Sequence, residues 1–301
     1  MGQSLHFGVT LPQIKRTWVE ARAAAIEFEA LGFDSVWVCD HLHGVPQAEI
    51  PILEAWTELT AVAAVTERVA VGSLVTPPGF RSPAVLAKQL ATIDHIAGGG
   101  RVIAGLGAGW NEAEYSGYGL DFPPLRDRMD QLEETCLTLR RYWANDGVVC
   151  EPRPDPLPRV LIGGSGERRL LGIAARHADI WNNLAVTQAD LGQKVGVLRQ
   201  RCAEIGRDPA EIVVSQQCTV VIAETEPDAA EALARANRIF GGHLGDGLER
   251  HGIWGTPAGV IERIEQHVAL GCTMFVIEFF GRDTRVPARL FADAVLPAFR
   301  G

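Results

Sequence analysis

Residues 69–109 contain two apolar runs, VAVGSLVT (69–76) and RVIAGLGAG (101–109), on either side of a helix-length stretch at 83–97. Val-rich runs of this length are typical of buried strands, and the stretch between them has the spacing of an amphipathic helix. Because both strands are almost continuously apolar, they predict a parallel sheet that is covered by helices.

The same alternation of strand and helix continues in both directions along the chain. Strands are predicted at 6–11, 34–40, 69–76, 101–109, 159–164, 179–183, 212–223 and 274–280, and helices at 18–31, 53–66, 83–97, 126–144, 166–177, 187–205, within 227–269 and at 287–299. Eight such units in 301 residues fit a (β/α)8 barrel better than a doubly wound sheet. We therefore expect one TIM-barrel domain over residues 1–301, with insertions at 110–125 and 241–257 over its C-terminal face.

Composition narrows the class of protein. With 47% hydrophobic and 22% charged residues, the chain can bury a large core. A net charge of −9 argues against nucleic acid or an anionic membrane as partner, which leaves a small-molecule substrate. Six cysteines without C-x-x-C spacing indicate neither a zinc site nor a disulfide framework. Since the N-terminus lacks the features of a signal peptide and no apolar run is long enough to span a membrane, we expect a cytoplasmic protein.

The carboxyl ends of barrel strands are where active sites form, and one cluster of titratable groups lies there. Asp40-His41-Leu42-His43 follows the second strand. A histidine titrates with a pKa of about 6.5, so His41 with Asp40 is the predicted catalytic pair. Alternatively, Asp40 caps a loop and His41 packs beneath it. A metal-dependent hydrolase would need further ligands after later strands, and these are missing, so we expect no metal.

Two glycine-rich segments follow the fourth and fifth strands. Gly105-Leu106-Gly107-Ala108-Gly109 would let backbone approach a planar ring, and Gly163-Gly164-Ser165-Gly166 would offer free N–H groups to a phosphate at a helix starting at Glu167. Arg168 and Arg169 follow the second segment. The same glycines are also common as simple turn residues. With few charged groups at the strand ends, the site is typical of enzymes in which a bound cofactor supplies the reactivity.

These residues carry a family resemblance. VWVCDHL, VAVGSLVTPPGFRSPAVLAKQLATIDHIAGGGRVIAGLGAGWNEAEYSGYG and VLIGGSGERRLLGIAARHADIWN occur in this order between residues 6 and 183. The chain therefore resembles the luciferase-like flavin and deazaflavin oxidoreductases. Its length, the Asp-His pair and the GWNEAEY segment look most like the branch that uses coenzyme F420, an 8-hydroxy-5-deazaflavin.

The resemblance implies roles for individual residues. A bulge in the third strand would hold the ring and contain a non-prolyl cis peptide, matching Ser73-Leu74 here. Ring-lining residues would be Asp40, Thr76, Gly107, Ala108 and Gly109, the phosphate would lie on Gly164, Ser165 and Gly166 next to Gly163, and His41 would face the substrate.

One departure bears on the substrate. The family's sugar-phosphate dehydrogenases have a Glu directly after the glycine triplet and a Trp shortly after the Asp-His pair, where this chain has Trp110 and Val45. We therefore expect a more apolar substrate, contacted by Trp110 and Trp181.

The sequence thus predicts an F420-dependent oxidoreductase that transfers a hydride to or from a small organic substrate, with a homodimer as the expected assembly. An FMN-dependent monooxygenase supplied by a separate reductase is the first alternative, because the same barrel and phosphate loop would serve FMN. A flavin-binding barrel without catalytic activity is the second.

Overall fold

Parallel strands form a closed barrel in the computed structural model, which describes residues 5–45, 47–240 and 247–300. The strands are β1 His6–Thr10, β2 Ser35–Val38, β3 Ala70–Ser73, β4 Val102–Leu106, β5 Arg159–Gly163, β6 Ile180–Asn183, β7 Val213–Ile222, β8 Gly252–Gly255 and β9 Met274–Phe279. Each of β1 to β7 pairs with the next, β7 also pairs with β9, and β9 pairs with β1. The predicted (β/α)8 barrel is confirmed.

Helices cover the outside of this barrel. They are α1 Trp18–Ala30, α2 Ala55–Val65, α3 Pro83–Ile96, α4 Glu112–Gly117, α5 Leu125–Trp143, α6 Leu170–His177, α7 Leu191–Glu204, α8 Glu226–Phe240, α9 Leu248–His251, α10 Pro257–Ala269 and α11 Arg285–Ala294. One predicted start is wrong, because residues 167–169 form a turn and α6 begins only at Leu170. Among the described residues, no helix has the length and apolar character needed to cross a membrane.

Strand β8 was not predicted from the sequence. It lies in the insertion at 241–257 and pairs with Thr219–Ile222, the part of β7 that extends past the end of β6. A four-residue run between glycines is too short to signal a strand, and it is ordered here because the free edge of the long β7 is available for pairing. The described part of the insertion thus consists of α9 and β8, whereas residues 241–246 lie outside the described residues.

The barrel lumen is filled by side chains, so it is a core and not a channel. Trp37, Ile103, Leu161, Ile180, Met274 and Val276 form this inner cluster. Trp37 occupies the centre because its neighbours lack side chains: a Cβ on Gly72 would lie 2.5 Å from the Trp37 ring, and one on Gly8 would lie 2.4 Å from it. A ligand is therefore expected at the C-terminal end of the strands and not inside the lumen.

Candidate functional site

His41 is held by a carboxylate at the mouth of the barrel. Its Nδ1 atom lies 2.9 Å from Oε2 of Glu114, which comes from α4 in the predicted insertion. The His41 side chain is 16% exposed, whereas that of Glu114 is 1% exposed. A buried carboxylate on one ring nitrogen leaves Nε2 as the atom that can exchange a proton with a ligand.

Glu114 also organises the loop that carries His41. Its Oε1 accepts hydrogen bonds from the backbone N–H groups of Leu42 and His43. Burial opposes ionisation of Glu114, but the hydrogen bonds from His41, Leu42 and His43 outweigh it, so the pKa of Glu114 lies below its usual value. The carboxylate is therefore ionised at neutral pH and favours a proton on His41 Nδ1.

Trp110 packs against the same histidine. The two rings meet edge to face, with their centroids 5.9 Å apart. The Trp110 side chain is 63% exposed, so it presents a large apolar surface at the mouth of the barrel. This position is compatible with the predicted contact to substrate.

Asp40 has partners other than His41. Its buried carboxylate pairs with Arg81 and accepts a 2.7 Å hydrogen bond from the Thr76 hydroxyl. Arg81 also contacts Glu54, which caps the start of α2. The predicted pairing of Asp40 with His41 is therefore not found. His41 has Glu114 as its carboxylate partner, and Asp40 anchors the loops after β2 and β3.

Thr76 and Ser73 connect this anchor to the barrel. Trp56 Nε1 donates to Thr76 Oγ1 over 2.9 Å, and Ser73 Oγ lies 2.9 Å from the same oxygen. Ser73 Oγ in turn donates to the carbonyl of Gly105 on β4. All of these polar atoms are buried, so the network fixes the backbone between Ser73 and Thr76.

The cis peptide expected in this bulge is displaced by one residue. The cis bond joins Leu74 to Val75, so the prediction of Ser73-Leu74 is wrong. Leu74 and Val75 pack on the lumen cluster and remain partly exposed at the mouth. Val75 fills a notch between two glycines, since a Cβ on Gly107 or Gly163 would lie 2.4 Å or 2.7 Å from its methyl groups.

The segment Gly107-Ala108-Gly109 forms the next part of the rim. Gly109 has a φ of +73°, which favours glycine, and a Cβ there would lie 2.6 Å from the Tyr115 hydroxyl. Arg128 from α5 donates to the carbonyls of Ala108 and Gly109 and stacks on the Phe122 ring at 4.0 Å. The insertion and α5 therefore hold this rim segment from the outside.

The segment Gly163-Gly164-Ser165-Gly166 ends β5 and leads into α6. Gly164 has a φ of +138°, and its N–H donates to Asn182 O while its carbonyl accepts from Trp181 Nε1 at 2.8 Å. Trp181 is completely buried, so it supports this loop from within the core and does not reach the open mouth, contrary to its expected contact with substrate. No backbone acceptor within the described residues takes the N–H groups of Ser165 or Gly166.

A family model for luciferase-like monooxygenases matches residues 4–250. The chain belongs to the luciferase-like monooxygenase family. A luciferase-like relative, the phthiodiolone/phenolphthiodiolone dimycocerosates ketoreductase of Mycobacterium sp. (strain JLS), is 30% identical over 257 residues, which cover 73% of this chain and 66% of the relative.

Solved structures with the same luciferase-like barrel include enzymes of two kinds. An F420-dependent secondary alcohol dehydrogenase in complex with an F420-acetone adduct has a TM-score of 0.88 and 22% identity, with 99% of this chain and 100% of that chain covered. The monooxygenase RslO1 from Streptomyces bottropensis has a TM-score of 0.82 and 20% identity, with 98% and 100% covered. At these identities the likeness shows the fold.

The mouth of this luciferase-like barrel fits a flavin or a deazaflavin. Leu74 and Val75 offer a partly exposed apolar surface, and the N–H groups of Ser165 and Gly166 suit a phosphate oxygen. No group of three or more His, Cys, Asp or Glu side chains in the described parts of the chain is arranged to hold a metal ion.

Sequence reasoning missed three residues that shape the site. Glu114, Arg81 and Arg128 are each distant in sequence from the group they hold. A weak signal existed for Glu114, because it lies in the insertion expected over the barrel mouth and close to the position where the family's sugar-phosphate dehydrogenases have a Glu. Nothing local distinguishes Arg81 or Arg128 from surface arginines.

Proposed function

We propose that the protein is an F420-dependent oxidoreductase that transfers a hydride between the deazaflavin and a ketone or secondary alcohol with an apolar body. The observation that carries this proposal is the His41 side chain, which is held by Glu114 at the mouth of the barrel next to Trp110. Reduction of a carbonyl needs a proton for its oxygen, and oxidation of an alcohol needs a base for its hydroxyl. His41 can serve in both directions.

Bound F420 would supply the hydride donor or acceptor at C5 of its ring. His41 Nε2 then gives a proton to the substrate oxygen or removes one, while Glu114 stabilises the positive charge on the imidazole ring during the transfer. Trp110 covers the apolar part of the substrate and helps to exclude water. The 30% identical ketoreductase agrees with carbonyl chemistry at this site.

Several residues hold the cofactor in this proposal. Leu74, Gly107, Ala108 and Gly109 form the wall for the ring, with Val75 in its notch and with Ser73 and Thr76 fixing the backbone of this wall from within. The N–H groups of Ser165 and Gly166 bind the phosphate, in the loop that begins with Gly163 and Gly164. Asp40 and Trp181 act as positioning residues, because their side chains hold the two loops from behind.

The experiment titrates the apo-protein with F420 and with FMN and follows fluorescence. Tighter binding of F420, together with reduction of apolar ketones by reduced F420, supports the proposal. His41→Ala should then lower turnover by about 10²- to 10⁴-fold while the cofactor dissociation constant changes less than about twofold. If the protein instead binds FMN and consumes oxygen with reduced FMN, it is a monooxygenase and the proposal is wrong.

A further inference from the structure

Four arginines line one open cleft on the outer surface of the barrel. Arg168, Arg169, Arg176 and Arg201 surround a space of about 160 Å³ between α6 and α7, together with Gly172, Glu204 and Ile205. Four guanidinium groups and one carboxylate, that of Glu204, line this cleft, whereas the protein as a whole carries a net charge of −9.

Three of the four arginines form ion pairs with acidic side chains. Arg169 pairs with Asp130, Arg176 with Glu133, and Arg201 with Glu204. Each guanidinium has five N–H donors, so one carboxylate partner leaves further donors available.

Two groups in the cleft keep unused donors. Within the described residues, Arg168 is exposed and makes no hydrogen bond or ion pair. The Nε atom of Arg201 is buried and has no partner there. A buried donor without an acceptor is costly, which favours a ligand that supplies one.

The cleft continues from the glycine segment at the end of β5. Arg168 follows Gly166 by two residues, and Arg201 also reaches the carbonyl of Glu167 in the turn between them. A ligand with its phosphate on Ser165 and Gly166 therefore has this cleft as the next surface along α6.

We propose that the cleft binds anionic groups that the cofactor carries beyond its phosphate, such as the carboxylates of a tail. The proposal rests on the function proposed above, which puts the phosphate on residues 163–166. Guanidinium groups pair with carboxylates through two parallel hydrogen bonds, which suits a tail with several carboxylates. FMN ends at its phosphate and has no group to place there.

Three ligands test the cleft by fluorescence titration at low ionic strength: F420, FMN, and a truncated deazaflavin that lacks both phosphate and tail. Arg168→Glu should raise the dissociation constant of F420 by about 10-fold, and by less at higher salt, because the arginine is exposed. Arg201→Gln should act in the same direction. FMN and the truncated ligand should bind both variants as they bind the unaltered protein.

Arg22→Glu is the matched control, since Arg22 is exposed on α1, outside the cleft, and the substitution changes the net charge equally. Thermal unfolding checks that each variant is folded. Unchanged F420 affinity in Arg168→Glu overturns the cleft assignment alone. Equal losses for F420 and FMN also overturn it, because Arg168 then binds the phosphate itself. Failure of F420 to bind the unaltered protein overturns the proposed function first.

Discussion

Nδ1 of His41 lies 2.9 Å from Oε2 of Glu114, a residue that follows it by 73 positions in the chain. The histidine belongs to the loop after β2, and the glutamate belongs to α4 in the insertion after β4. The insertion therefore does more than cover the barrel, because it supplies the buried charge that orients the histidine. Tyr118 in the same insertion donates to the carbonyl of Leu42 and adds a second connection to this loop.

Glu114→Gln should lower turnover by about 100-fold while the cofactor dissociation constant changes little. The amide keeps the shape of the side chain but loses its charge, so it no longer stabilises a protonated His41. If the amide NH2 group faces Nδ1, this nitrogen must accept a hydrogen bond, so the neutral ring carries its proton on Nε2. Nε2 then cannot act as the base that removes a proton from an alcohol. Steady-state kinetics and cofactor titration on the same preparation separate the two effects.

Glu112→Gln is the control for this variant, because Glu112 is exposed in the first turn of the same helix. It should leave both constants unchanged. A loss of cofactor affinity in Glu114→Gln at normal turnover would assign the glutamate to loop structure and contradict its role in proton transfer.

Arg81→Met should destabilise the protein by about 3–5 kcal/mol, because it leaves the fully buried Asp40 carboxylate without its cation. Asp40→Asn should cost less, since Arg81 keeps Glu54 as a partner at 3.0 Å. The double variant should cost less than the sum of the single changes, as expected for residues in direct contact. Urea unfolding measures all three.

The pair of Arg289 and Glu27, whose side chains are 52% and 22% exposed, provides the comparison. Arg289→Met should cost at most about 1 kcal/mol, because solvent screens a surface pair. If Arg81→Met costs no more than this, Asp40 is not held by the ion pair in solution.

The barrel was predictable because its strands are marked by local patterns. The run of apolar residues from Val69 to Val71 and the one from Val102 to Ala104 identify strands without knowledge of their partners, and the alternation with helices then identifies the architecture. Strand β8 was missed for the complementary reason: it depends on the free edge of β7, which no local pattern reports.

The site was predictable only in part. Glycines and His41 are recognisable because strand ends and glycine loops have a known place in a barrel. The sequence predicts the adjacent Asp40 as the partner of His41, whereas the fold brings Glu114 to His41 and pairs Asp40 with Arg81. The sequence also predicts Trp181 at the substrate, but its position on β6 directs the ring into the helix-facing core. Side-chain direction at a strand end depends on the register of the whole barrel.

The buried carboxyl group of Glu58 should make the protein less stable as pH rises. This α2 residue is 3% exposed, and neither carboxylate oxygen has a hydrogen-bond partner within the described residues. Burial, with a smaller contribution from the charge of Glu54, raises its pKa to about 8. At pH values between the pKa of this carboxyl group in the unfolded chain and its raised pKa, the folded protein keeps a proton that the unfolded chain has lost. The free energy of unfolding therefore falls as pH rises through this range.

Glu58→Gln removes this titration and should flatten the curve. At each pH, the free energy of unfolding of the unaltered protein is subtracted from that of the variant. We expect this difference to be larger at pH 8 than at pH 5 by roughly 2–4 kcal/mol, as measured by urea unfolding at both values. Glu67→Gln, at an exposed position beyond the end of α2, should leave the pH dependence as it is. A variant curve parallel to that of the unaltered protein would show that Glu58 is ionised in the folded state.

Gly107→Ala tests whether the notch around Val75 shapes the cofactor site. The new Cβ would lie 2.4 Å from Cγ2 of Val75, and Gly163 closes the other side of the notch, so Val75 must move toward the open mouth. We expect cofactor affinity to fall by about 10-fold, because even one added methyl group is poorly tolerated where packing is tight. Adding Val75→Ala removes the clashing methyl groups and leaves the remaining Cβ at 3.4 Å, an ordinary contact, so the double variant should recover most of the affinity.

Thermal unfolding of both variants separates this effect from loss of fold. If Gly107→Ala binds the cofactor normally, Val75 does not line the ring; if Val75→Ala restores nothing, the methyl group on residue 107 obstructs the cofactor directly.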